Sequence, residues 1–193
     1  MRYPQNRKAE TRQKLIEKAG ALAKKEGFAT TGVDGLMASV GLTGGAFYSH
    51  FDSKSELLVE IINRELNNSN NLIAGQGLDA DISQALSAYL SPLHVRFPEF
   101  GCVLPSLTNE VARSDDSVKE AFENGLKNIH ASIAKHTGSE SSAWAILALS
   151  VGTISLSRAL KTPELQQEFL AASAKFALDA INQSKETESH HNE

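Results

Sequence analysis

Between residues 43 and 54 the sequence reads TGGAFYSHFDSK, which sets Thr43, Tyr48, Ser49, His50 and Lys54 along one short stretch behind glycines 44 and 45. Hydroxyls, an imidazole and an ammonium are hydrogen-bond donors. Gathered beside backbone N–H groups that no side chain covers, they suit a phosphate-bearing surface. They do not suit catalysis, for the chain shows no carboxylate pair, no nucleophile matched to a base and no phosphate loop. His94, His130 and His136 lack metal-ligand spacing, so no metal and no cofactor is expected.

Such donors must be held by elements that present them. From Arg12 to Phe28 the apolar residues Leu15, Ile16, Ala19, Leu22, Ala23 and Phe28 recur at helical spacing, and Gly27 stands where the helix should stop. Thr30 and Thr31 can cap a second helix reaching Val40, with Val33, Leu36, Met37 and Val40 inward and Gly41 as its stop. Thr43 can cap a third through His50, too short to persist alone in water. Phe47 and Phe51, four apart, anchor it from below and leave Tyr48 and His50 outward. Ser53 to Glu56 spells a capping box, which predicts a firm start for a fourth helix running to about Ile73. A helix, a tight turn and a short second helix form the helix-turn-helix arrangement, whose second helix can enter a DNA major groove.

Charge agrees with this reading. The net charge of −4 hides an asymmetry: residues 1–54 carry nine Lys/Arg against five Asp/Glu, and the remainder carries ten against eighteen. The N-terminal quarter is the part that can approach a polyanion.

The rest reads as helical throughout, an all-α chain of about nine helices with no alternating strand pattern. Ile82, Ala85, Leu86, Tyr89, Leu90 and Leu93 make one stripe, Leu104, Leu107 and Val111 a short one, and Val118 to Ile133 another that starts near Ser114 or Asp115. The run 143–156 is broken by Ser150, Gly152, Thr153 and Ser155 and is shorter than the roughly 20 residues of a membrane span, so a buried helix over 141–161 is expected. A last helix follows with Pro163 at its first position. The polar N-terminus has no signal-peptide pattern, and the lone Cys102 fits a reducing cytoplasm. The expected division is a helix-turn-helix DNA-binding head over 1–52, a helical body over 53–185, and a disordered tail over 186–193.

The stretch GLTGGAFYSHFDSKSELL, within a likeness covering about residues 10 to 62, resembles the DNA-binding head of TetR/AcrR-family transcriptional regulators. The resemblance implies an all-helical homodimer with a three-helix head and a variable ligand-binding body, most simply a repressor that leaves a palindromic operator when a small effector binds. It implies that Tyr48 donates its hydroxyl to a phosphate, that Lys54 pairs with another and that Thr43 contacts phosphate or base. His50 is a candidate for backbone contact. Gly44, Gly45, Ser49 and Thr31 complete the expected DNA face, and Arg2, Arg7, Lys8 and Arg12 extend it as an N-terminal arm. Gly44 and Ala46 replace the lysine and hydroxyl residue common in that family, which shifts selectivity toward backbone groups and DNA shape.

In the body, small residues at 145, 148, 152, 155 and 159 allow close helix approach, so dimerisation is expected through 141–161 and 163–183. Tyr89, Leu93, Phe97, Phe100, Cys102, Phe122, Leu126 and Trp144 are the candidate lining of a site for a hydrophobic or aromatic effector. Cys102 is also a candidate sensor thiol for electrophiles, although an inert buried cysteine is the simpler expectation. Readings of another class are an all-helical enzyme, for which no catalytic pattern speaks, and a protein-binding adaptor, which would leave the Tyr-x-His-Phe segment unexplained.

Overall fold

Gly27 ends the first helix by taking a positive φ of 89°, a conformation that costs glycine little, and its N–H closes back on Ala23 O. This helix, α1, spans Gln5–Glu26 in a computed structural model that describes residues 5–74 and 81–189, with side chains over 8–74 and 81–182. α2 (Val33–Ala38) follows, then a 3-10 helix (Gly44–Ser49) and α3 (Lys54–Ala74). Further on come α4 (Ile82–Tyr89), α5 (Pro92–Arg96), a 3-10 turn (Pro98–Phe100), α6 (Leu104–Val111), α7 (Asp116–Thr137), α8 (Glu140–Ala159) and α9 (Pro163–Ser189). Among the described residues every regular element is helical, so the chain is all-α.

Contacts divide the chain into two compact units, residues 1–65 with 98–123 and residues 66–97 with 124–193. In the first, Leu15, Ala19 and Ala23 of α1, Leu36 and Met37 of α2, and Leu57, Ile61 and Ile62 of α3 are sealed from water. Phe47 and Phe51 join them, so the 3-10 helix hangs on two buried rings. Burial of each large side chain is worth about 1.5–3 kcal/mol, which an isolated short helix lacks. One buried ion pair ties α1 to α3, Lys24 Nζ to Glu65 Oε2 at 2.6 Å, and the same ammonium donates to Gly101 O at 2.8 Å.

The second unit is built on α8 and α9, which pack along their length. Leu90, Val95, Ile154 and Leu170 form one buried cluster, and Thr153 Oγ1 donates to Ser173 Oγ at 2.9 Å across the two long helices. α8 is long and apolar enough to cross a membrane by length and composition, yet it buries Ala143, Ile146, Leu147, Ser150, Thr153 and Ile154 within the protein.

Local details depart from expectation. Neither Thr30 nor Thr31 caps α2: Gly32 does, and the hydroxyls turn back to the end of α1, Thr30 to Glu26 O and Thr31 to Gly27 O just past it. The third helix is 3-10 rather than α, as suits a six-residue segment opened by two glycines. Ser53 Oγ accepts from Glu56 N as the capping box requires, but Glu56 Oε2 takes the N–H of Asp52. The stripe over 82–93 is two helices, because Pro92 disfavours a helical residue before it and Ser91, extended, caps a fresh start. Finally, α9 stays helical through Ser189, since Lys and Glu continue a helix already begun. Residues 190–193 of the expected tail, and Arg2, lie outside the described residues.

Candidate nucleic-acid interface

The 3-10 helix presents its donors because its buried and exposed sides are sharply divided. Phe47 is fully buried while its neighbour Tyr48 is 69% exposed, the two rings meeting edge to face at 5.3 Å. Tyr48 Oη is thus carried outward on a rigid base. Thr43 is extended and exposed and its hydroxyl caps nothing, so it faces outward beside exposed Gly45. Gly44 lies so close to Asp34 of α2 that a Cβ there would run into the carboxylate. α2 and the 3-10 helix are therefore in close contact at the turn, and Leu42 N closes it on Met37 O at 3.0 Å.

Other expected contacts are engaged within the protein. Ser49 donates its one hydroxyl proton to Ala46 O at 2.7 Å, and Thr31 donates its own to Gly27 O at 2.8 Å. Arg12 is not an outward arm residue: its guanidinium reaches Glu60 at 2.8 Å and Glu56 at 3.2 Å and lies over the Phe51 ring. The hydrogen bond it donates to Glu60 raises its pKa against the opposing effect of burial. A count of charges sees Arg12 as free, whereas Glu56 and Glu60, one turn apart on α3, meet it in space. Lys8 is exposed.

His50 is half-exposed, but its Nδ1 is shielded and has no hydrogen-bond partner. Burial lowers its pKa below 6.5, and Lys8 and Arg12 lower it further. Lys54, expected to meet a phosphate, instead donates to Phe28 O at 2.7 Å and lies 4.7 Å from the Phe28 ring centre. Burial lowers its pKa, partly offset by Glu110.

Spacing offered no hint of Glu110. This α6 carboxylate accepts from Phe28 N at 3.0 Å and Ala29 N at 2.6 Å, across more than eighty residues of chain. A cleft of about 280 Å3 opens beside it, lined by Phe28, Lys54, Ser55, Leu58, Arg113 and Asp115 among others.

The candidate effector residues are scattered. In the first unit, Phe100 is 84% exposed, Phe122 half-buried and Cys102 buried, its sulfur accepting from Leu104 N at 3.5 Å. In the second, Tyr89 sits edge-on to His94, Leu126 is half-buried, Leu93 and Phe97 are exposed, and Trp144 stacks on His130 at 3.9 Å with its outer part open. Leu93 and Phe100 are thus corrected from interior to surface positions. The restart at Pro92 turns Leu93 off the α4 stripe, and Phe100 ends a 3-10 turn with its ring outward.

Residues 15–61 match the family described as "Bacterial regulatory proteins, tetR family". No curated protein matches the chain. Among solved structures, a TetR transcriptional regulator from Legionella pneumophila is similar with a TM-score of 0.72 at 17% identity, over 95% of this chain and 99% of that one. One from Chloroflexus aurantiacus gives 0.71 at 21%, over 89% and 96%. A transcriptional regulator from Saccharomonospora viridis, solved in complex with choline, gives 0.68 at 15%, over 87% and 95%. At these identities the likeness is one of fold.

Proposed function

Since residues 15–61 match the tetR family and the chain as a whole is similar in fold to solved regulators of that family, we propose that it is a ligand-responsive transcriptional repressor. It binds a palindromic operator as a homodimer and leaves it when a small hydrophobic or aromatic effector occupies the body. The observation that carries this reading is Tyr48, a large ring 69% exposed on a 3-10 helix anchored by buried Phe47 and Phe51. A phenol that packs only against Phe47 and is otherwise exposed is a donor waiting for an acceptor, and beside it stand Thr43 and the bare backbone of Gly45. Residues 1–52 act as the DNA-binding part and 53–185 as the effector and dimer part, in the cytoplasm and without enzymatic activity.

The dimer uses α8 and α9. Ala145, Ala148, Leu156 and Ala159 of α8, with Leu165 and Phe176 of α9, leave an apolar surface uncovered in the single chain. That surface suits a second copy, and a two-fold dimer places two heads on half-sites about 34–36 Å apart or a multiple of that. Cys102, only 8% exposed, speaks for the small-molecule effector over a thiol sensor.

The test is selection of duplexes from a randomised pool by the purified protein, followed by salt titration. Two-fold symmetric duplexes are expected, with log affinity falling linearly in log salt. Tyr48→Phe is expected to lose about tenfold in affinity, the worth of one charge-assisted hydrogen bond, with an unchanged melting temperature. Recovery of no duplex above the starting pool would overturn the proposal.

A further inference from the structure

The turn after α1 is held from two sides by side chains from two other helices. Glu110 of α6 accepts the N–H groups of Phe28 and Ala29 at 3.0 and 2.6 Å, one on each carboxylate oxygen. Lys54, the first residue of α3, donates to the carbonyls of the same two residues at 2.7 and 3.4 Å. Both residues are therefore gripped at N–H and carbonyl alike, and the peptide unit between them is held at its donor and its acceptor. The charges are apt, because an ammonium at a helix C-terminus meets the negative end of the helix dipole, and a carboxylate serves N–H groups that point past the last helical turn. Gly27 permits the approach: a Cβ there would stand 3.1 Å from Glu110 Oε1.

We propose that Glu110 and Lys54 form a clamp on the backbone of Phe28 and Ala29 and are positioning residues for DNA binding, an inference that rests on the function proposed above. The clamped residues lead directly into the recognition apparatus. Thr31 hooks to Gly27 O, Gly32 caps α2, and α2 meets the 3-10 helix at the close contact of Gly44 with Asp34. Fixing the turn fixes the pitch at which α2 and Tyr48 face the duplex. Lys54 then contributes to affinity from inside the head, not as a phosphate ligand. The clamp sits beside an open cleft and its Ala29 bond is exposed, so polar bonds rather than burial hold it. Its loss leaves the apolar core in place.

Salt dependence separates the two roles of Lys54. Deleting a phosphate contact lowers the slope of log affinity against log salt by about one, whereas loosening a clamp lowers affinity at constant slope. The experiment uses the full-length protein with Glu110→Ala, Glu110→Gln, Lys54→Met and the Glu110→Ala/Lys54→Met pair, on a duplex selected by the wild type. Glu110→Ala and Lys54→Met are expected to weaken binding roughly tenfold at unchanged slope, with Glu110→Gln between wild type and Glu110→Ala because its single carbonyl still accepts. The pair should be no worse than the weaker single, since both act on one turn. Amide exchange at Phe28 and Ala29 should accelerate in Glu110→Ala even without DNA. A reduced slope for Lys54→Met with wild-type binding by Glu110→Ala would overturn the clamp and restore the phosphate role. Unaccelerated exchange in Glu110→Ala would overturn it even if no duplex is ever bound, a result that would sink the DNA-binding reading separately.

Discussion

His50 illustrates how a residue's neighbours decide what its type can do. Its imidazole is shielded at Nδ1 and faces Lys8 and Arg12 from α1, so its cationic form is disfavoured in the free protein. A histidine with a lowered folded pKa contributes stability above about pH 6.5 that is lost as pH falls through the folded value. The melting temperature should therefore fall on acidification below 6.5, and less so in His50→Gln. Proton NMR should place the His50 midpoint below 6.5 in the free protein and higher in a complex with DNA, whose phosphates favour the cation. A midpoint at or above 6.5 without DNA would contradict the shielding. At this scale the sequence showed which residues are donors but not which are already engaged. Tyr48 and Thr43 were legible because alternation with Phe47 and Phe51 fixes their facing. Arg12, Ser49, Thr31 and Lys54 were not, because their partners are acids or carbonyls that charge counts and spacing do not locate.

Among the elements, helix stops and starts were read correctly where one residue dictates them: Gly27, Ser53 and Pro163 each sit at a boundary, whereas α2 stops at Ala38, short of the expected stop at Gly41. The break at Pro92 was missed because an apolar stripe ran across it. Gly125 of α7 has a definite role, since a Cβ there would lie 2.7 Å from Leu66 Cβ on α3. That atom cannot swing away as a side-chain tip could. Gly125→Ala is expected to cost about 1–3 kcal/mol through overpacking, despite the better helix propensity of alanine, and denaturant unfolding would show it. Unchanged or raised stability would mean that α3 and α7 have more room than the structure gives them.

For the whole molecule, the most exposed large apolar side chains of α8 and α9 predict the oligomer. Leu156 and Phe176 are 59% and 66% exposed in the single chain, and a stable protein interface buries about 1,600 Å2 in total. Sedimentation velocity should show a dimer, and Leu156→Arg with Phe176→Glu should yield a folded monomer that binds half-sites weakly. A monomeric wild type would require another cover for this face. The all-α class, the order of helices and the helix-turn-helix head follow from the sequence alone, because periodicity, caps and glycine stops are local properties of neighbouring residues. Only the tertiary structure brought Glu110 to the α1 turn, Glu60 to Arg12 and Glu65 to Lys24. Those pairs join residues more than forty positions apart, and packing of the apolar faces, not any signal along the chain, decides which polar groups then meet.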